Sequence, residues 1–169
     1  PITTSGGVEF NHFDATQLDI RFDAPDGFNQ VSFRVTFGSE EFPEFVNSPF
    51  IDGFGIYLNG TNIAFTGGAP ININHPDMQP LSGTELDGVI AQGESAVLQF
   101  NAPITPGSKD NTLTFVIADT EDGRLDSTVY ISSLKASSPF SAGTAPTIAS
   151  VAPLRQAVQD EIIIFGDNF

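Results

Sequence analysis

The sequence predicts an all-β protein, an antiparallel β-sandwich of jelly-roll type with a short C-terminal two-strand segment. Three observations carry this expectation. Apolar and polar residues alternate at period two over several stretches, and none repeats at helical spacing. Asn59-Gly60 stands between two apolar runs, the favoured composition of a type I′ hairpin turn. The remainder is punctuated by 16 Gly and 12 Pro, as closely spaced strands and turns require.

The elements follow in chain order. Residues 16–24, TQLDIRFDA, place Leu18, Ile20 and Phe22 on one face and Asp19, Arg21 and Asp23 on the other. Residues 30–38 do the same with Val31, Phe33, Val35 and Phe37. The run 54–65, FGIYLNGTNIAF, reads as a hairpin about Asn59-Gly60. Asn59-Gly60-Thr61 also spells a glycosylation sequon, but the turn alone accounts for those residues. Further strands are expected at 96–101, at 111–119 with Leu113, Phe115 and Ile117 inward, and at 127–134. These elements make one domain over residues 1–135.

Residues 136–146, ASSPFSAGTAP, are small, polar and Pro/Gly-containing, and read as a linker. Beyond it, strands are expected at Thr147–Val151 and Glu161–Phe165. Two strands alone cannot bury a core. The segment 147–169 is therefore expected to be a truncated second domain or a strand segment exchanged with a partner. The chain opens on Pro1 rather than Met, which fits a processed product or a piece of something longer.

Charge narrows the function classes. Asp and Glu number 21 against 6 Lys and Arg, a net charge of −15. Nucleic-acid binding rests on cationic contacts to phosphate, and anionic membrane surfaces attract the same cations, so neither partner is expected. No apolar run is long enough to span a bilayer. The absence of cysteine removes disulfides, thiolate metal sites and a cysteine nucleophile. A serine hydrolase would need a partnered histidine, and His12 and His75 both lie in stretches read as exposed loops, with no Gly-x-Ser-x-Gly elbow. Glycoside hydrolysis has carboxylates to draw on, but sugar subsites are scarce, with no Trp and only Tyr57 and Tyr130.

The acidic residues gather in two places. Glu40, Glu41, Glu44 and Asp52 crowd among phenylalanines in FGSEEFPEFVNSPFIDGFGIYLNG (37–60), and Asp119, Glu121, Asp122 and Asp126 lie in ADTEDGRLDS (118–127). Each group follows a strongly alternating strand, so strands ending at one edge of a sandwich would bring the two together. Several converging carboxylate oxygens with Arg124 as the only base nearby suit a hard cation such as Ca2+, which takes six to eight oxygen ligands. The spacing is not that of an EF-hand loop. Solvated loop carboxylates are the alternative reading.

These two motifs, with NIAF, ININ and FVIADTEDGRLDSTVYI after the first, resemble the choice-of-anchor L domain of exported bacterial proteins over residues 14–134. The resemblance implies a non-enzymatic module that is extracellular or displayed at the cell surface. The acidic residues matching its motifs are Glu40, Glu41, Asp52, Asp119, Asp122 and Asp126, and these are the candidate metal ligands. Glu44 shares the motif but ranks lower beside Pro43. In the tail, PTIASVAP and IIIFGDNF resemble the opening of an IPT/TIG immunoglobulin-like domain.

The resulting expectation is a calcium-stabilised extracellular β-sandwich acting in adhesion or matrix assembly. Its partners would be neighbouring domains, copies of the same chain, or a surface glycan or protein ligand. The alternatives are a filament subunit assembled by strand exchange and, behind it, a carbohydrate-active enzyme.

Overall fold

The computed structural model describes residues 12–137 except 85 and 122, and the backbone of three short strands beyond them. Among the described residues every regular element is a strand, and the paired strands run antiparallel, as the alternation requires. In chain order they are β1 His12–Phe22, β2 Gln30–Ser39, β3 Gly53–Leu58, β4 Thr61–Asn62, β5 Phe65–Thr66, β6 Ala69–Pro70 and β7 Met78–Pro80. There follow β8 Gly88–Ile90, β9 Leu98–Pro103, β10 Asn111–Thr120, β11 Ser127–Ser137, β12 Thr147–Val151, β13 Leu154–Arg155 and β14 Ile164–Asp167. Among the described residues no helix is long and apolar enough to cross a membrane.

Two sheets form the body. One has the order β1-β10-β3-β4. The other has the order β13-β11-β2-β8-β7, with β9 also bonded to β2. Strands β8 and β9 share one edge of β2: Gly38 and Ser39 pair with β8, while Gln30 to Val35 pair with β9. The face-to-face pair curls into a half-barrel, the all-β sandwich that the alternation predicts.

Phenylalanines lock the sheets together. Phe33 of β2 stacks on Phe100 of β9 at 5.3 Å and meets Phe115 of β10 edge-on, also at 5.3 Å. Phe115 in turn stacks on Phe54 of β3 at 6.1 Å. Offset and edge-to-face contacts of this kind add to the burial of the rings themselves. Around them Val35, Phe37, Ile56, Leu113, Ile117, Val129 and Ile131 are all buried. Each sits at the inward parity of its strand.

The β3–β4 hairpin follows its turn chemistry, with Leu58 paired to Thr61 and positive φ at both Asn59 (50°) and Gly60 (81°). Its second strand is shorter than expected, ending at Asn62 rather than Phe65. The Asn59 side chain is engaged at both ends: Nδ2 donates to Asn111 Oδ1, and Oδ1 accepts from the Thr112 amide. Gly60→Ala puts a Cβ on left-handed backbone and should cost about 1 kcal/mol. A lower urea midpoint at unchanged slope would show it, and an unchanged midpoint would refute the turn's strain.

Of the two expected tail strands, β12 covers 147–151 and its antiparallel partner β14 covers 164–167 rather than 161–165. β13 adds to the edge of β11, pairing Thr128 with Arg155 and Val129 with Leu154. Most of the expected linker, residues 138–146, lies outside the described residues.

Candidate functional site

The site lies where four strand ends from both sheets meet. Ser39 closes β2 and Ser127 opens β11, and the two residues are directly paired. Ala118 of β10 pairs with Gly53 of β3, so Asp119 and Asp52 are the next residues along those strands. Parity explains why these polar groups point inward. Asp119 continues the inward series Leu113, Phe115, Ile117, and Asp52 precedes Phe54, Ile56 and Leu58 in the same way. Ser39 follows Val35 and Phe37, and Ser127 precedes Val129 and Ile131. The end of the hydrophobic core is thus closed by a polar layer.

Glu41 joins this layer from the loop between β2 and β3. Asp52 has no measurable exposure, and Glu41 and Asp119 are each 2% exposed. The Asp52 amide donates to Glu41 Oε2 at 3.3 Å. The Ser127 hydroxyl donates to Asp52 Oδ2 at 2.7 Å, and the Thr120 amide also donates to this carboxyl. The Glu41 amide donates to the Ser39 hydroxyl at 3.1 Å. Asp52 Oδ1 is buried with no hydrogen-bond donor among the described residues. Buried polar atoms are rarely left so, and each such case calls for a physical reason.

Electrostatics makes the same point. Desolvation, then repulsion from Glu41 and Asp119, pushes the Asp52 carboxyl up to about 9. None of the groups acting on it is a base. At neutral pH this carboxyl holds a proton unless a cation replaces that proton. As the side chains stand, no three Asp, Glu, His or Cys among the described residues are spaced to hold a metal ion.

The loop that carries Glu41 and Asp52 is pinned along its length. The Phe42 ring lies against Gly88 of β8 where a Cβ would otherwise sit. Phe45 and Phe50 meet edge-to-face at 5.7 Å, and the Asn47 amide donates to Asn74 Oδ1 at 2.7 Å.

Of the six candidate ligands, the structure brings Glu41, Asp52 and Asp119 together in the buried layer. Glu40 and Asp126 bond each other at its rim. The Glu40 amide donates to the Asp126 carbonyl, and the Asp126 amide donates to Glu40 Oε2 at 3.2 Å. Asp126 is exposed, and Glu40 is half-buried. Asp122 lies outside the described residues. Glu44 is exposed on the loop, away from the layer.

Ser39 and Ser127 escaped notice in the sequence, although the same parity that marks their apolar neighbours would have marked them. The two histidines differ from expectation. His12 is exposed but on β1, and His75 is buried, its Nε2 bonded to the Thr66 carbonyl and its Nδ1 accepting from the Asp77 amide. The segment 71–75 is bridged to Gly53 through Asn72 and buries Ile71 and Ile73, which takes His75 out of solvent with them.

A family model, the choice-of-anchor L domain, matches residues 2–137. The matched stretch contains both acidic motifs and every strand of the two body sheets except β13, and it ends before the tail. No curated protein and no solved structure matches the chain. The family is associated with bacterial cell-surface and extracellular proteins and is not known for enzymatic activity. On this match over most of its length, the chain belongs to the choice-of-anchor L domain family.

Proposed function

We propose that the domain is a calcium-stabilised extracellular module serving adhesion or matrix assembly at a bacterial surface. The observation that carries the reading is the burial of Glu41, Asp52 and Asp119 in one layer, where the groups that raise the Asp52 carboxyl are the other two carboxylates and burial itself. Burying several carboxylates is costly unless charge is neutralised, and a divalent ion does this for more than one at once. The three side chains would have to move from their present spacing to close their oxygens on the ion. Ser39 and Ser127 hydroxyls and nearby backbone carbonyls would supply further oxygens. The ion would tie β2, β3, β10 and β11 at one end and stiffen the sandwich.

An ion that binds only the folded chain stabilises it by RT ln(1 + [L]/Kd), about 2.7 kcal/mol at roughly a hundredfold excess over Kd. Chelation with EDTA should therefore lower the melting temperature by about 8 °C for a domain of this size. Protein purified without chelator should carry a divalent ion by elemental analysis. A metal-free preparation whose melt ignores added calcium would end this reading and leave a proton shared within the layer.

A second reading, strand exchange between copies, is favoured by one observation. The tail strand β13 extends the β11 sheet edge by backbone pairing at Thr128 and Val129. A segment able to occupy that edge in its own chain could occupy it in a neighbour. The tail would then be either the opening strands of an immunoglobulin-like domain or a donated segment. Sedimentation of the whole chain decides this, since a monomer at all concentrations excludes exchange.

A further inference from the structure

Away from the acidic layer, the outer face of the β1-β10-β3-β4 sheet carries a second arrangement of polar and aromatic groups. Pairing sets Asp19, Thr114, Tyr57 and Asn62 in one row across all four strands. The adjacent row holds Gln17, Val116 and Gly55. Tyr57 has the outward parity of β3, opposite to the buried Phe54, Ile56 and Leu58. Its ring lies down over Gly55: a Cβ there would sit 2.7 Å from Tyr57 Cε2 and 3.2 Å from Cζ. With the ring where it stands, a Cβ on Gly55 would press on its outer end, so glycine leaves the space that the ring occupies beside half-buried Val116.

Polar groups beside the ring are already oriented. Thr114 Oγ1 donates to Asp19 Oδ1 at 2.6 Å, and Gln17 Nε2 donates to Asp19 Oδ2 at 2.7 Å. Each carboxylate oxygen keeps a further acceptor position, and Asp19 and Gln17 are both exposed. An aromatic ring on a sheet surface, flanked by oriented acceptors and donors, has the chemistry of a sugar-ring platform. The ring covers the C–H face of a pyranose, and the polar groups meet its equatorial hydroxyls.

We propose that this sheet face binds a neutral oligosaccharide, one hexose ring seated on Tyr57 and hydrogen-bonded to Asp19. The net charge of −15 disfavours an anionic glycan. Size disfavours a protein partner. Four strands across and the two rows along span about 14 Å by 7 Å, about 100 Å2, against about 800 Å2 per partner in a stable protein interface. The proposal is independent of the cation reading, since none of these residues belongs to the buried layer.

The test is a titration of isotope-labelled full chain with maltotriose, cellotriose and mannotriose, followed by backbone amide shifts. Binding should move the amides of Gly55, Tyr57, Thr114 and Val116, and Tyr57→Ala should weaken it by about tenfold or more. If none of the three sugars moves those amides, the proposal fails. Equal affinity in Tyr57→Ala also overturns it and leaves the ring as a cover for glycine in the sheet. Self-association of the parent chain that Tyr57→Ala abolishes, with no response to sugar, would instead make this face an interface between copies. Should Tyr57→Ala not fold, Asp19→Asn at its exposed position should still weaken binding several-fold, and parental affinity there refutes the proposal.

Discussion

In excess EDTA the protein should become more stable as pH falls from 8 to 6, by about 3 kcal/mol over the two units. The sign follows from Asp52. Its carboxyl is held up at about 9 in the folded chain, against an ordinary value of 3.8. Between those values the folded state keeps a proton that the unfolded state releases. Stability therefore rises as pH falls, at a slope approaching about 1.4 kcal/mol per pH unit. The contribution is complete below the unfolded value and is lost as pH rises through the folded one. Saturating calcium should flatten or reverse this slope, because the ion displaces the proton and binds better as pH rises. Urea unfolding at a series of pH values, with and without calcium, measures both slopes. A chelated protein with no slope in this window would show that Asp52 is ionised in the folded state.

Much of this was legible in the chain because strands that bury one face write their geometry into alternation. The long strands β2, β10 and β11 lie where their patterns place them, and the β3–β4 turn is where Asn59-Gly60 requires. Alternation also contained the site: Asp52 and Asp119 occupy inward positions of strands whose neighbouring inward residues are Phe54 and Ile117. Two carboxylates at inward positions of two strands must either meet or be stranded in hydrocarbon. What alternation cannot convey is how a loop returns. Glu41 enters the layer because Phe42 packs on Gly88, a contact between segments some 46 positions apart, the difference of their numbers.

The same limit explains the rest. Glu40 and Glu41 are adjacent and identical in type, yet one is half-buried at the rim and the other closes the core. Only the direction of the turn after β2 separates them. Strands β5 to β8 are two or three residues long, too short to show a period, so the region 65–90 was silent. His75 is buried there by tertiary folding that its Pro- and Asn-rich surroundings do not announce. The Tyr57 platform depends on a glycine two residues earlier on the same strand face. Both residues were visible, but their stacking is a matter of where the ring lies down.

Asp52→Asn should stabilise the chelated protein at pH 8 by about 6 kcal/mol, raising its melting temperature by about 18 °C. A substitution in a buried polar cluster usually destabilises, so the sign is diagnostic. Keeping a proton on Asp52 at pH 8 costs the folded chain about 1.4 kcal/mol for each unit above the ordinary carboxyl value. An amide of nearly the same shape has no such cost. Its oxygen can take the place of Oδ2, accepting from the Ser127 hydroxyl, and its nitrogen falls where Oδ1 now lacks a donor. There an N–H2 group sits in the field of the Glu41 and Asp119 carboxylates that act on Asp52, and attraction replaces repulsion. The same change should cancel the pH slope and remove most of the calcium response, since the layer loses one of the three carboxyl groups that would ligate the ion and gains a donor where the ion would sit. Thermal melts of parent and variant with EDTA and with calcium give four numbers. Stabilisation in EDTA with an undiminished calcium shift would place the ion elsewhere. Destabilisation in EDTA would mean that Asp52 is charged and already balanced by a group outside the trio.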